Sequence, residues 1–176
     1  VGSVCVDQLT LQALPALPPP PPPVWLDTET GQLHASVDEQ ANLARALDAK
    51  TDTAWISHDG SPSTLLLDLG QLREFGGVVL RWLPNQGARD YDLSVSEDAI
   101  HWRTRREVRD GDGGVDPLLL SESEARYLRL DLLHPQGARY ALAELQVRDL
   151  AFGQSANAML QVLASESPKG HYPRGF

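Results

Sequence analysis

Apolar and polar residues alternate along much of the chain, and this pattern predicts its architecture. Val78, Leu80 and Trp82 alternate with Val79 and Arg81, and Leu128, Leu130 and Leu132 alternate with Arg129 and Asp131. A period of two gives a strand one buried face and one wet face, which suits antiparallel sheets rather than a parallel sheet covered on both sides. Strands are predicted at residues 65–68, 78–82, 92–96, 104–108, 117–120, 127–133 and 142–148, with turn residues at fairly even spacing between them. Such a series predicts an all-β protein built as an antiparallel β-sandwich or barrel. A first short strand is expected at residues 35–37 and a single helical turn within 38–47.

The two ends break the pattern. Val4/Val6 and Leu9/Leu11 alternate over too short a span to fix a strand. Residues 18–23 are six consecutive prolines, without backbone donors and with fixed φ. They predict a polyproline II rod rising ~3.1 Å per residue, a stiff spacer before it is a ligand for an SH3-like groove. Near the other end Ala156, Met159, Leu160 and Leu163 follow helical spacing, with Ser155 placed as N-cap and Pro168-Lys169-Gly170 as the stop. The expected organisation is an extension and polyproline linker at 1–23, a sandwich at 24–149, and a helical tail or the start of a following domain at 150–176.

Charge narrows the partners. The formal net charge is −9 over 176 residues, which opposes binding to nucleic acid phosphates and to anionic membranes. Neutral glycans and divalent cations remain compatible. Cys5 is the single cysteine, so an intrachain disulfide is impossible. No apolar run reaches the length of a membrane span. The chain begins with Val and has no charged leader, so a signal peptide is expected to be already removed, and both ends read as cuts through a longer protein.

An ordered set of motifs then adds a family resemblance. Asp48-Ala49-Lys50-Thr51-Asp52-Thr53-Ala54-Trp55 is followed by Leu67-Asp68-Leu69-Gly70, by Tyr91-Asp92-Leu93-Ser94-Val95-Ser96-Glu97-Asp98 and by Trp102. Ala125-Arg126-Tyr127-Leu128-Arg129-Leu130 and Ala143-Glu144-Leu145-Gln146-Val147 complete the series. It resembles the discoidin or coagulation factor type C family, close to the galactose-binding-like carbohydrate modules, over about residues 33–149. The resemblance implies a jelly-roll β-sandwich. It also implies a structural Ca²⁺ held by side chains of Asp48, Thr53 and Glu144 and by carbonyls of Arg45, Lys50 and Ala143. Those oxygen donors suit calcium, but Lys50 departs from the family's usual Asp, Asn or Gly.

The resemblance further implies a ligand face on loops at one end of the sandwich. His58, Trp82, Asn85, Arg89, His134 and Arg139 are the candidate binding residues, offering one aromatic and several partners for sugar hydroxyls. Trp55, Trp82 and Trp102 also suit core or rim anchors, and Arg89 also suits a pair with a neighbouring Asp. No G-x-S-x-G, H-E-x-x-H or G-x-x-x-x-G-K-[ST] motif is present, so an enzyme is not expected. The expected function is a non-catalytic carbohydrate-binding or adhesion module of a secreted bacterial multidomain protein, placed outside the cell, at its surface or in the periplasm. The alternative is a structural interaction or spacer domain without a sugar site, whose partners are neighbouring domains. Lipid-headgroup binding is disfavoured by the charge.

Overall fold

The structure is a computed structural model that describes residues 32–35, 43–50 and 52–166. The expected linker at 1–23, Cys5, residues 36 and 37 of the first expected strand and residues 167–176 lie outside the described residues. Among those described, the strands are β1 (Gln32–Ala35), β2 (Trp55–Ile56), β3 (Ser63–Trp82), β4 (Ala88–Ser96), β5 (Arg103–Val108), β6 (Val115–Pro135) and β7 (Ala141–Arg148). A 3-10 turn, Leu43–Ala46, lies within the stretch where a helical turn is expected. Helices α1 (Leu150–Gly153) and α2 (Ala156–Glu166) follow the last strand.

Every described strand pair is antiparallel. The first half of β3 pairs with β1 and with the second half of β6, while the second half of β3 pairs with β7 and with the first half of β6. Each long strand therefore serves both layers of the sandwich. Strands β4 and β5 extend one layer beyond β6, and β2 extends the other beyond β7. Here the alternation pattern overcounts: segments 65–68 and 78–82 belong to one strand, as do 117–120 and 127–133. Between them the β3–β6 register shifts twice, between Asp68/Arg73 and between Phe75/Gly77, and Gly70 takes φ +77°. Extra residues in a ladder bend the strand without ending it.

The alternating residues face as their period requires. Leu65, Leu67, Leu128, Leu130, Tyr91, Leu93 and Val95 from one layer meet Val78, Leu80, Leu118, Leu120, Leu145 and Val147 from the other in one buried cluster. The wet face of the first layer is tied by polar bonds. Arg126 grips Asp68 with two nitrogens at 2.8 and 2.9 Å, Thr64 donates to Asp131 at 2.8 Å, and the Arg129 guanidinium lies 4.5 Å from the Trp102 ring centre. Strand β5 is an edge, with exposed Arg103 and Arg106 and a register shift opposite Leu93/Ser94. Charges and a bulge on an edge discourage pairing with other chains.

The helices cap the outer face of the second layer. Asp149 accepts the Phe152 amide at 3.1 Å and opens α1, and Ser155 accepts the Ala158 amide at 3.1 Å and opens α2, as expected from the sequence. Phe152 and Met159 bury against Val79 in a second small cluster. This docking needs glycine on the strand. A Cβ on Gly76 would collide with the Asp149 carbonyl and lie 2.5 Å from the Gly153 amide nitrogen, and a Cβ on Gly77 would lie 2.5 Å from the Phe152 ring. Gly76→Ala is therefore expected to push α1 off the sheet and destabilise the domain by about 2 kcal/mol, the cost of forced overpacking. Chemical denaturation of the variant beside wild type measures this, and an unchanged midpoint would refute the close docking.

Candidate functional site

Because β3 and β6 fold back on themselves, the loops before and after each of them meet at one end of the sandwich. Backbone bonds lock these loops together. Gln136 donates its amide to the Gly87 carbonyl (2.9 Å), Ala141 to Gln86 (2.8 Å), Gly111 to Arg89 (2.8 Å) and Ser57 to Tyr140 (3.0 Å). The Gln136 side chain adds two more, accepting from the Gly87 amide (3.3 Å) and donating to the Gly111 carbonyl (3.1 Å). Asn85 holds a left-handed turn at φ 59°, which Asn tolerates better than most residues. A site on these loops stands on a stiff platform.

The expected binding residues separate into two groups. His58, Asn85, Arg89, His134 and Arg139 are exposed on these loops or at their strand junctions. Trp82 is only 5% exposed and belongs to the core, so it offers no stacking surface. Its indole Nε1 donates to Asp116 Oδ2 at 2.8 Å, and the Tyr91 hydroxyl donates to the same oxygen at 2.7 Å. Trp82 and Tyr91 thus form a buried support beneath the loops, with Trp82 donating its own amide to the Gly114 carbonyl at 2.7 Å. Burial pushes the Asp116 carboxyl up to about 6.

Two carboxylates at the same end, Asp59 and Asp90, organise the exposed set. Asp90 accepts from the Asp110 amide at 2.9 Å, hydrogen-bonds the His134 Nδ1 at 2.8 Å and lies 3.6 Å from the Arg89 guanidinium. The Asp110 amide bond is the leading reason its carboxyl is held below the usual range. Asp59 accepts from the Ser61 amide at 2.8 Å and lies 3.6 Å from His58 Nδ1. An open recess of about 540 Å³, lined by Arg109, Asp110, Gly111 and Asp112, flanks this end. Tyr140 closes the loop that follows β6 and carries Arg139. It is fully buried and its hydroxyl has no hydrogen-bond partner among the described residues. The sequence signal for these residues is faint: an acid directly after His58 and directly after Arg89, and one Tyr ahead of the apolar run that opens β7.

The expected calcium residues come together at a second place. Thr53 Oγ1 donates to both Asp48 oxygens, at 2.9 and 2.8 Å, and the Lys50 amide donates to Asp48 Oδ1 at 3.0 Å. Glu144, on β7, is 2% exposed, and its Oε2 has no hydrogen-bond partner among the described residues. Burial, then the nearby Asp48 charge, push the Glu144 carboxyl up to about 7. Among the described residues no group of three His, Cys, Asp or Glu side chains stands ready for a metal. The two acids, the Thr53 hydroxyl and backbone carbonyls are nevertheless the hard oxygen donors that calcium takes, and an orphaned buried carboxylate oxygen fits a cation. The Arg45 and Lys50 side chains are cationic and offer no acceptor, so only their carbonyls would serve.

The raised Glu144 value has a pH consequence of definite sign. The folded state keeps the proton to a higher pH than the unfolded chain does. This stabilising contribution is fully present below the ordinary value of 4.5 and is lost as pH rises through about 7. Without divalent cation, Glu144→Gln is therefore expected to gain stability relative to wild type as pH rises from 5 to about 8. Melting both proteins in EDTA across that range tests this, and a constant difference would refute the perturbed carboxyl.

Known proteins agree with this geometry. Among curated protein sequences none matches the chain. Solved structures do. Chitosan-binding module 1 from a chitosanase/glucanase of Paenibacillus sp. IK-5 is 29% identical with a TM-score of 0.61, over 67% of this chain and 94% of that one. Chitosan-binding module 2 of the same enzyme, solved with chitotriose, is 27% identical with a TM-score of 0.62, over 67% and 95%. CpGH89CBM32-5 of Clostridium perfringens, solved with GalNAc-β-1,3-galactose, is 24% identical with a TM-score of 0.63, over 70% and 99%, and shares the fold. These structural neighbours are carbohydrate-binding modules, and the sandwich is of the galactose-binding-like kind. The F5/8 type C domain profile matches residues 31–145, and with the motifs in order the chain belongs to the F5/8 type C (discoidin) domain family.

Proposed function

We propose that this chain is a non-catalytic carbohydrate-binding module whose sugar site is the loop end of the sandwich. The observation that carries the reading is the convergence of exposed His58, Asn85, Arg89, His134 and Arg139 on hydrogen-bonded, stiff loops. Such groups pair with sugar hydroxyls, and holding them rigid limits the ordering cost of binding. Similarity to two chitosan-binding modules supports a glycan as the partner. The negative net charge turns the choice away from polyanionic sugars. Trp82 and Asp116 act from below by fixing the loops.

In this reading the module works by proximity. It holds its parent protein near a glycan and so raises the effective concentration of whatever domain is attached. An extracellular or cell-surface location follows from a polysaccharide partner. A structural calcium ion would be held by Asp48, Thr53 and Glu144 with carbonyls of Arg45, Lys50 and Ala143. It would pin the 48–53 loop to β7 and neutralise the two facing acids, with no part in catalysis.

Calorimetric titration with glucosamine, N-acetylglucosamine and galactose oligosaccharides tests the sugar reading. Binding is expected for at least one, and Arg89→Ala is expected to weaken it about tenfold, the usual loss for a hydrogen bond to a charged group. A flat response across the panel would instead favour the docking reading, in which the loops meet another domain. For the cation, calcium is expected to raise the melting midpoint of wild type and to leave that of Glu144→Gln unmoved.

A further inference from the structure

The open edge of the first layer carries a charge opposite in sign to that of the whole chain. Residues 103–109 hold four arginines (Arg103, Arg105, Arg106 and Arg109) and one acid, Glu107, in a protein of net charge −9. Most of this run is β5, which pairs with β4 and stands last in the sheet. Register sets Arg103 opposite Val95 and Arg106 opposite Leu93. Directly opposed residues share a side of the sheet, and both Val95 and Leu93 are buried in the core. The two arginines therefore stand on the inner side of the layer, at positions where β4 carries apolar residues. Residues three apart would normally face opposite sides. The register shift that leaves Arg105 without an opposite number turns both to the same one. Both are exposed, so no described residue covers them. Arg103 lies 3.3 Å from Glu97 in an exposed, solvent-screened pair, and Arg106 donates to the Arg105 carbonyl at 3.3 Å. Arg109 is held to Asp92 at 2.6 Å and ties the hairpin together.

We propose that β5 is a docking edge for an acidic, extended segment of a partner protein, which adds beside it as a further strand. No described strand pairs with the outer side of β5, so backbone N–H and C=O groups face outward there. A ladder on these groups supplies attraction that any strand shares, and Arg103 and Arg106 select the sign of charge. Carboxylates on one side of the added strand meet both guanidinium groups on the same side. The arginines also turn other occupants away. A second copy would lay its own arginines against these. A neutral strand would strip water from the guanidinium groups and return no charge. The charges and the bulge that keep other edges off thus leave one kind of edge admitted.

Fluorescence anisotropy of the whole chain tests this with a labelled peptide of alternating glutamate and threonine. Controls are glutamine–threonine and lysine–threonine peptides, and the glutamate peptide N-methylated along its backbone. Only the unmethylated glutamate peptide is expected to bind, and less tightly as salt rises. Arg103→Ser with Arg106→Ser is expected to weaken it at least about tenfold, as suits lost bonds to charged groups. The melting midpoint and any sugar binding at the loop end are expected to stay as in wild type. Arg103→Glu with Arg106→Glu is expected to exchange the glutamate peptide for the lysine one, a gain that a misfolded variant would not show. Equal binding of the N-methylated peptide, which cannot donate to an edge, would reveal diffuse attraction and overturn strand addition. If wild type binds no peptide the proposal falls, and self-association of the serine variant would then identify the arginines as guards of the edge.

Discussion

The structure depends on one hydrogen-bonded ladder, that between β3 and β6. Each strand is long enough to serve both layers, and each bends where the register shifts near Asp68/Arg73 and Phe75/Gly77. A pair of strands folded in this way places its four chain ends at the same end of the sandwich. The loops before and after β3 therefore meet the loops before and after β6, whatever their sequences. The site inherits its location from backbone geometry. The Gln136 side chain then locks the meeting point through the Gly87 amide and the Gly111 carbonyl.

Buried acids mark the places where this frame departs from an apolar sandwich. Asp116 lies wholly inside, holding Trp82 and Tyr91 by two short bonds to one oxygen. Glu144 lies under the 48–53 loop with one oxygen unpaired. A carboxylate inside a protein is costly unless something pairs with it. Asp116 is paired on one side by two donors of the core, which fix the orientation of the largest aromatic beneath the loops. Glu144 faces another acid, an arrangement that suits a cation rather than packing. The two acids thus differ in their surroundings, one bonded to two donors of the core and one facing a second acid.

The F5/8 type C profile match, residues 31–145, lies within the sandwich and ends before the helices. Residues 150–166 add α1 and α2 to the outer face of the second layer, through Phe152, Met159 and the glycines that admit them. The face opposite the helices, on the first layer, is closed by Arg–carboxylate and Arg–aromatic pairs of its own. The loop end is the region where exposed polar groups converge on stiff backbone.

Local pattern by itself determined the strand class, the inward and outward faces, the N-cap at Ser155 and the family. These depend on period, capping and short motifs, all of which are written in consecutive residues. It also named the Asp48, Thr53 and Glu144 set and the exposed loop residues, through resemblance rather than spacing. Tertiary structure alone decided that residues 65–68 and 78–82 are one strand, because a bulge continues a ladder that a local pattern reads as broken. It alone removed Trp82 from the ligand face, since alternation sends that residue inward but cannot say that an indole bond to Asp116 holds it there. And it alone brought Tyr140 against Ser57 and Asp90 against His134, because residues so far apart in sequence become neighbours only when the folded ladder carries their loops to the same end.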